Sequence, residues 1–289
     1  MFDRTEIIDL LLSRGADSSL QSAEGMENAR FSTGNECSAC CSLLGSDGKL
    51  IRDKDKFKES NKSLNERRIT TAGITWICAA QFFAAQVFAQ SAWTTSFSWA
   101  TNYISDLGNT TCGLYPADIG SYVCSPWHTL MNISFVLQGI IILVGAVLAR
   151  PAFAGLCWRM IVLPLLIVTA LGIAGVGLFP EDVNNRAHVI SAGIQFITGN
   201  IAMIAFGITS LGLKRWRTFA IVSTAFGLTG LLATVLFAQG YGLGLGVGGM
   251  ERVAAYTLPV WLIIFGVLII VRKRPVSTPL TSYWTRRRK

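Results

Sequence analysis

The chain has 289 residues, 51% hydrophobic and only 15% charged, with a net charge of +8 and a mean hydropathy of +0.47. Soluble domains carry about a quarter charged residues, so this composition argues against an ordinary soluble fold. The positive charge does not indicate nucleic acid: the cations sit beside the ends of apolar runs, where anionic lipid and topology account for them, and no recognition motif accompanies them. Membrane lipids are the expected surroundings.

Residues 1–68 are polar, mixed in charge and rich in Ser, Asn, Lys and Glu. They read as a cytoplasmic tail, disordered or weakly structured, because such a composition cannot bury a core. Its apolar stretch at 7–12 is short for a signal peptide and follows acidic residues. Cys37, Cys40 and Cys41 read as free thiols, since a zinc site built on Cys-x-x-Cys needs a second pair or histidines.

Six apolar runs follow, at about 69–90, 127–149, 159–179, 188–211, 218–238 and 253–271. Each approaches the roughly twenty residues needed to cross about 30 Å of hydrocarbon. Backbone polar groups in hydrocarbon must be satisfied internally, so the runs are expected to be helices. The expected fold is all-α: an integral membrane six-helix bundle over 69–271, followed by a basic cytoplasmic tail at 272–289. Pro164 and Pro259 lie inside the third and sixth runs and are expected to kink them.

Lys and Arg set the orientation. They flank the runs at Lys62, Arg67 and Arg68, at Arg150 and Arg159, at Lys214, Arg215 and Arg217, and at Arg272, Lys273 and Arg274. The alternate loops hold only Arg186 and Arg252, which places both termini in the cytoplasm of a multi-pass protein of the plasma membrane or an endomembrane. Trp93, Trp99, Tyr103, Tyr122 and Trp127 suit an outer aromatic belt, and Trp158 and Trp216 an inner one. In the outer loop, Cys112 and Cys124 face an oxidising compartment, where a disulfide is expected. Asn109-Thr110-Thr111 is a glycosylation sequon on the same side. The Gly-rich segment 240–249 lacks a Gly-Lys-Ser/Thr ending and reads as a flexible connection.

Asp106, His128, Glu181, Asp182, His188, Glu251 and Arg252 all fall on the outer side, and the chain has no other histidine. Ionisable residues at membrane depth are costly and default to a functional hypothesis. Three readings stand. In the first, Asp106, His128 and His188 hold Zn²⁺ with one position open for water. Metal-bound water has its pKa lowered to about 7, and Glu181 or Asp182 acts as general base in a metal-dependent lipid hydrolase. In the second, acids and histidines relay protons in a transporter or proton-coupled carrier, with Gln81, Gln86, Asn132, Gln138, Gln195 and Asn200 as polar groups at depth. The third is a non-catalytic protein that packs against lipid or a partner. The bland alternatives are local: a turn at Asp106, interfacial histidines, and a Glu251–Arg252 pair.

The run from Ser91-Ala92-Trp93-Thr94 through Thr101-Asn102-Tyr103-Ile104-Ser105-Asp106-Leu107-Gly108-Asn109 resembles the membrane-protein family known as domain of unknown function 998. So do Cys112-Gly113, Val123-Cys124-Ser125-Pro126-Trp127-His128, Met131-Asn132, Phe179-Pro180-Glu181-Asp182 with His188, and Glu251-Arg252. The resemblance spans about 69–271 and implies a six-helix membrane domain with no settled activity.

The charge pattern makes a topological prediction. In right-side-out vesicles, Ser98→Cys should react with a membrane-impermeant thiol reagent and Thr281→Cys should react only after permeabilisation; labelling of both from one side would overturn the arrangement.

Overall fold

Six helices long and apolar enough to cross a bilayer follow one another along the chain: α1 (Glu59–Ser91), α2 (His128–Leu148), α3 (Trp158–Leu178), α4 (Glu181–Ser210), α5 (Arg217–Ala238) and α6 (Gly246–Arg272). They make the protein an all-α, multi-pass membrane bundle. The structure, a computed structural model, describes residues 57, 59–115, 121–153, 155 and 158–272. The tail expectations for 1–56 and 273–289, including Cys37, Cys40 and Cys41, lie outside the described residues.

Three helices begin before their apolar runs. In α1, residues 59–68 are helical but exposed, and burial starts at Ile69. In α4 the helix proper begins at Asn184, whose φ of −148° and ψ of 78° break the helical path. The Asn184 carboxamide oxygen accepts the Ala187 N–H at 3.1 Å, which is the N-cap role of Asn. Glu181–Val183 is therefore a separate turn ahead of the cap. The α6 helix starts at Gly246, after a connection with positive φ at Gly240, Leu243, Gly244 and Gly246.

Consecutive helices pack side by side, and α6 returns against α1 to close the ring. Glycine permits that closure. The Gly73 carbonyl lies where a Gly266 side chain would have to go, so the two backbones approach as small residues allow. Helical geometry is irregular next to Pro164 in α3. One π-helical turn, Trp158–Val162, precedes an α-helical segment that starts at Leu163. Such a local π adjustment is one way a membrane helix accommodates the missing N–H of a proline in its interior. Outward faces are apolar: Ile133, Ile140 and Val147 on α2, Leu171 and Leu178 on α3, and Leu228, Leu232 and Val235 on α5 are exposed to the lipid side.

The two ends of the bundle differ. At the end carrying Arg150, Arg159, Arg215 and Arg272, large aromatics interlock. Phe265 packs against Trp76 at 4.9 Å, Phe206 at 4.8 Å, Trp261 at 4.8 Å and Phe219 at 5.0 Å between ring centroids. Trp158 and Trp216 belong to this core rather than to an interfacial belt. Trp158 stacks on Phe153 at 4.5 Å, and Trp216 packs on Phe265 under the Arg272 guanidinium. Their indoles are wide enough to fill the space between six converging helices, and burial wins over the interface. The opposite end is polar and is covered by the long loop between α1 and α2.

Leu in place of Gly266 should force α6 away from Gly73 and Ile77, at a cost of about 1–3 kcal/mol for overpacking. The thermal midpoint of the purified Gly266→Leu protein in detergent should fall; an unchanged midpoint would mean that α1 and α6 do not meet there.

Candidate functional site

The α1–α2 loop forms a cap whose polar backbone is satisfied by side chains from three helices. Its centre is a 3₁₀ turn, Ser105–Gly108. From α2 and its approach, the Ser125 hydroxyl donates to the Leu107 carbonyl at 2.7 Å, and the Asn132 carboxamide donates to the Gly108 carbonyl at 2.8 Å. From α6, the Ile104 N–H donates to the Glu251 carboxylate at 2.5 Å. Arg252 donates to the Trp99, Asn102 and Gly248 carbonyls at 3.1, 2.7 and 2.8 Å, and its guanidinium lies 5.0 Å from the Trp99 ring. Adjacent residues on one helix thus hold an N–H and two carbonyls of the same loop. Glu251 and Arg252 do not simply neutralise each other.

The α4 turn supplies the third grip. Asp182 accepts four hydrogen bonds on one oxygen: the Thr110 N–H at 2.8 Å, the Thr110 hydroxyl at 2.9 Å, the Thr111 N–H at 2.9 Å and the Thr111 hydroxyl at 3.0 Å. Beyond them, Cys112 and Cys124 form a disulfide. It closes the hairpin of β1 (Gly113–Tyr115) and β2 (Ser121–Val123), antiparallel with Gly113 opposite Val123. Tyr115 donates from its hydroxyl to the Glu181 carbonyl at 3.0 Å. Burial, then the charges of Glu181, Asp182 and Asp106, push the Tyr115 phenol up to about 12, so it keeps the proton it donates.

Beneath the cap lies a cluster of acids. Asp106, Glu181 and Glu251 are buried at 2%, 8% and 6% exposure, and Arg252 is the buried cation beside them. Asp106 accepts the Tyr103 N–H at 2.8 Å and the Asn102 carboxamide at 3.3 Å. Glu181 lies beside Asp106 and Ser105, and its Oε1 has no partner among the described residues. A bond between two carboxyls exists only while one is protonated. Burial holds the Asp106 carboxyl above the ordinary aspartate range; the Tyr103 N–H, Glu181, Asn102 and Arg252 pull the other way without cancelling it.

A cavity of about 30 Å³ lies directly below. Ser105, Glu251 and His188 line its outer part, and Gln138, Gln195 and apolar side chains of α1, α2, α3, α4 and α6 line the rest. Its volume equals the liquid share of about one water molecule, far too small for a lipid in this conformation. His188 is buried and shares a hydrogen bond between its Nδ1 and the Phe179 carbonyl at 2.9 Å.

The expected metal ligands Asp106, His128 and His188 are not brought together. Among the described residues, no group of three or more His, Cys, Asp or Glu side chains could hold a metal ion. His128 is half-buried at the start of α2, where Nδ1 meets the Ser125 carbonyl of its own turn at 3.0 Å. The reason is helical: its side chain turns back over its N-terminal approach instead of into the bundle. Asp182, offered as a general base, has one oxygen fully engaged in anchoring the loop. Glu181 is the member of that pair that joins the buried cluster. The sequon fares similarly. Asn109 is 1% exposed, and Thr111 donates its hydroxyl to Asp182, so the folded loop has no room for a glycan on Asn109.

Asn102 and Ser105 are site residues that sequence reasoning passed over, although both lie in the segment that carries the family resemblance. Several polar groups at depth are paired across helices. Tyr256 donates to Gln86 at 2.7 Å, Thr257 to Asn200 at 3.2 Å, and Ser134 to Gln81 at 2.9 Å.

Six membrane helices closed at one end by aromatics and capped at the other over buried acids define an integral multi-pass membrane protein. The model of the family described as "Protein of unknown function (DUF998)" matches residues 77–268, more than half of the chain. The chain belongs to that family. No curated protein and no solved structure matches it.

The raised Asp106 carboxyl makes a signed prediction. Above the ordinary value of 3.8, the unfolded chain gives up this proton while the folded protein keeps it. Stability from this group is thus full below 3.8 and is lost as pH rises through the folded-state value. Asp106→Asn cannot titrate, so its thermal midpoint should fall less steeply than wild type over that window. Parallel curves would overturn the assignment.

Proposed function

We propose that this protein is a proton-coupled membrane carrier whose proton-binding element is the Asp106–Glu181–Glu251 cluster. The observation that carries the reading is a charge imbalance: three buried carboxyls face one buried guanidinium. Like charges at such close quarters cannot all ionise in a medium of low dielectric. The cluster therefore holds at least one proton, between Asp106 and Glu181, and gives it up only if the surroundings change.

The acids belong to different parts. Asp106 rides on the cap, while Glu181 and Glu251 stand on the turn before α4 and on α6. Loss of the shared proton sets the cap's carboxylate against those of the helices. Repulsion then favours lifting of the cap and access to the cavity beneath; reprotonation favours closure. The Gly-rich connection before α6, with three glycines at positive φ, can absorb such a movement. The aromatic packing at the opposite end keeps the bundle closed there while the cap is open, as alternating access requires. The hydrolase reading has no comparable support, because its ligands lie apart. Lipid contact belongs to the outer surface of the helices and is compatible with the carrier.

Purified protein in vesicles with an entrapped pH dye tests this. An imposed potassium diffusion potential should drive proton entry above the level of empty vesicles. Glu251→Gln and Glu181→Gln should each lower the rate by an order of magnitude or more, in keeping with mutants of acid–base groups. Proton entry that equals empty vesicles, or is untouched by both substitutions, would overturn the reading.

A further inference from the structure

The Gln138 amide nitrogen has no hydrogen-bond partner among the described residues, and its orientation is determined by its neighbours. The Gln81 Nε2 donates to the Ser134 carbonyl at 3.1 Å, and a carbonyl can only accept. The Ser134 hydroxyl donates back to the Gln81 Oε1 at 2.9 Å. Gln81 is thereby locked, and its second Nε2 hydrogen goes to the Gln138 Oε1 at 3.2 Å. This bond orients the Gln138 amide, so the terminal group left over is its Nε2. That nitrogen is buried without a partner among the described residues, on a side chain with 0% exposure.

Gln138 lines the cavity below the acid cluster. It stands ten residues into α2, about 15 Å from the outer end at 1.5 Å per residue. The cavity's other polar walls are Glu251, Ser105, His188 and Gln195. A buried water needs two to four polar partners and space for about one probe sphere; this cavity supplies both, with an orphan donor at its deep side and acceptors at its outer side.

We propose that the cavity is an internal water-binding site that hydrates Glu251 and His188 from within the bundle and is anchored at mid-bilayer depth by Gln138. For its use, this rests on the proton-carrier reading: a bound water accepts the proton that Glu251 releases on a lone pair and passes one of its own O–H protons to the Nε2 of His188, so charge moves from Glu251 to His188 with no net change in the water. The binding site itself does not depend on transport.

The two histidines make the test specific. The full chain, labelled with ¹⁵N-histidine and reconstituted in phosphatidylcholine vesicles, is examined by magic-angle spinning NMR for polarisation transfer from water. His128, half-buried at the outer loop, serves as an internal reference for folding and bulk hydration. His188 should receive transfer in the wild type. Ala192→Leu, which fills the cavity wall beside His188, should lose it while His128 is unchanged. Gln138→Leu, which removes the anchoring donor at similar size, should also lose it and serves if Ala192→Leu does not fold. Absence of transfer to His188 in the wild type, or transfer undiminished in a folded variant, would overturn the site. A hydrated His188 in a protein that carries no protons in vesicles would leave the water site standing and remove the carrier reading.

Discussion

Glu251 and Arg252 grip opposite kinds of backbone group in one loop, and the arrangement of the capped end follows from that grip. A loop lying over a membrane bundle exposes N–H and C=O groups where bulk water is scarce, and an unpaired buried group costs about 1–3 kcal/mol. Arg252 takes the carbonyls of Trp99 and Asn102, and Glu251 takes the Ile104 N–H. The chain between those contacts has little freedom left, and the next turn places Asp106 beneath the cap. The site's acid cluster is thus a consequence of how the loop's backbone is satisfied. Removing Arg252 would leave the buried carboxyls without the cation beside them and the Trp99 and Asn102 carbonyls without their donor, which is a costly outcome for buried groups.

Two neighbouring acids of the α4 turn take different roles because they point at different partners. Asp182 meets four donors from Thr110 and Thr111 and acts as an anchor. Glu181 turns inward to Asp106 and Ser105 and keeps one oxygen without a partner. The first environment stabilises a carboxylate, whereas the second places a carboxyl against another carboxyl. Proximity to the Cys112–Cys124 disulfide and its hairpin holds the anchoring threonines in place, so the covalent link restrains the cap at one edge while α6 restrains it at the other.

The bundle is polarised along its axis. One end is filled by interlocked rings around Phe265. The other end carries acids, a buried histidine and a small cavity whose polar lining reaches Gln138. Such an asymmetry resembles one state of a protein that opens one side at a time. The closed aromatic end is held by many large contacts, and the capped end by a limited set of hydrogen bonds, several of them to carboxylates.

The sequence by itself determined the six helices, because twenty apolar residues in a row have one way to satisfy their backbone in hydrocarbon. It also marked the paired cysteines and the gathering of Asp106, Glu181, Asp182, His188, Glu251 and Arg252 at one end of the bundle, since charge is scarce enough in this chain for each to stand out. It misassigned Trp158 and Trp216, because an indole at a helix end suits an interface and a core equally until its neighbours are known. It also grouped His128 with His188, since equal depth along two helices says nothing about which way each side chain turns. Helix starts at Asn184 and Gly246 were hidden for a related reason: capping and backbone bonds, rather than hydrophobicity, extend those helices into polar sequence. Only the tertiary structure separated the anchoring Asp182 from the clustered Glu181, and only it placed an orphan amide at Gln138 beside a cavity. Those distinctions rest on distances of a few ångströms between residues far apart in the chain, which composition and spacing do not encode.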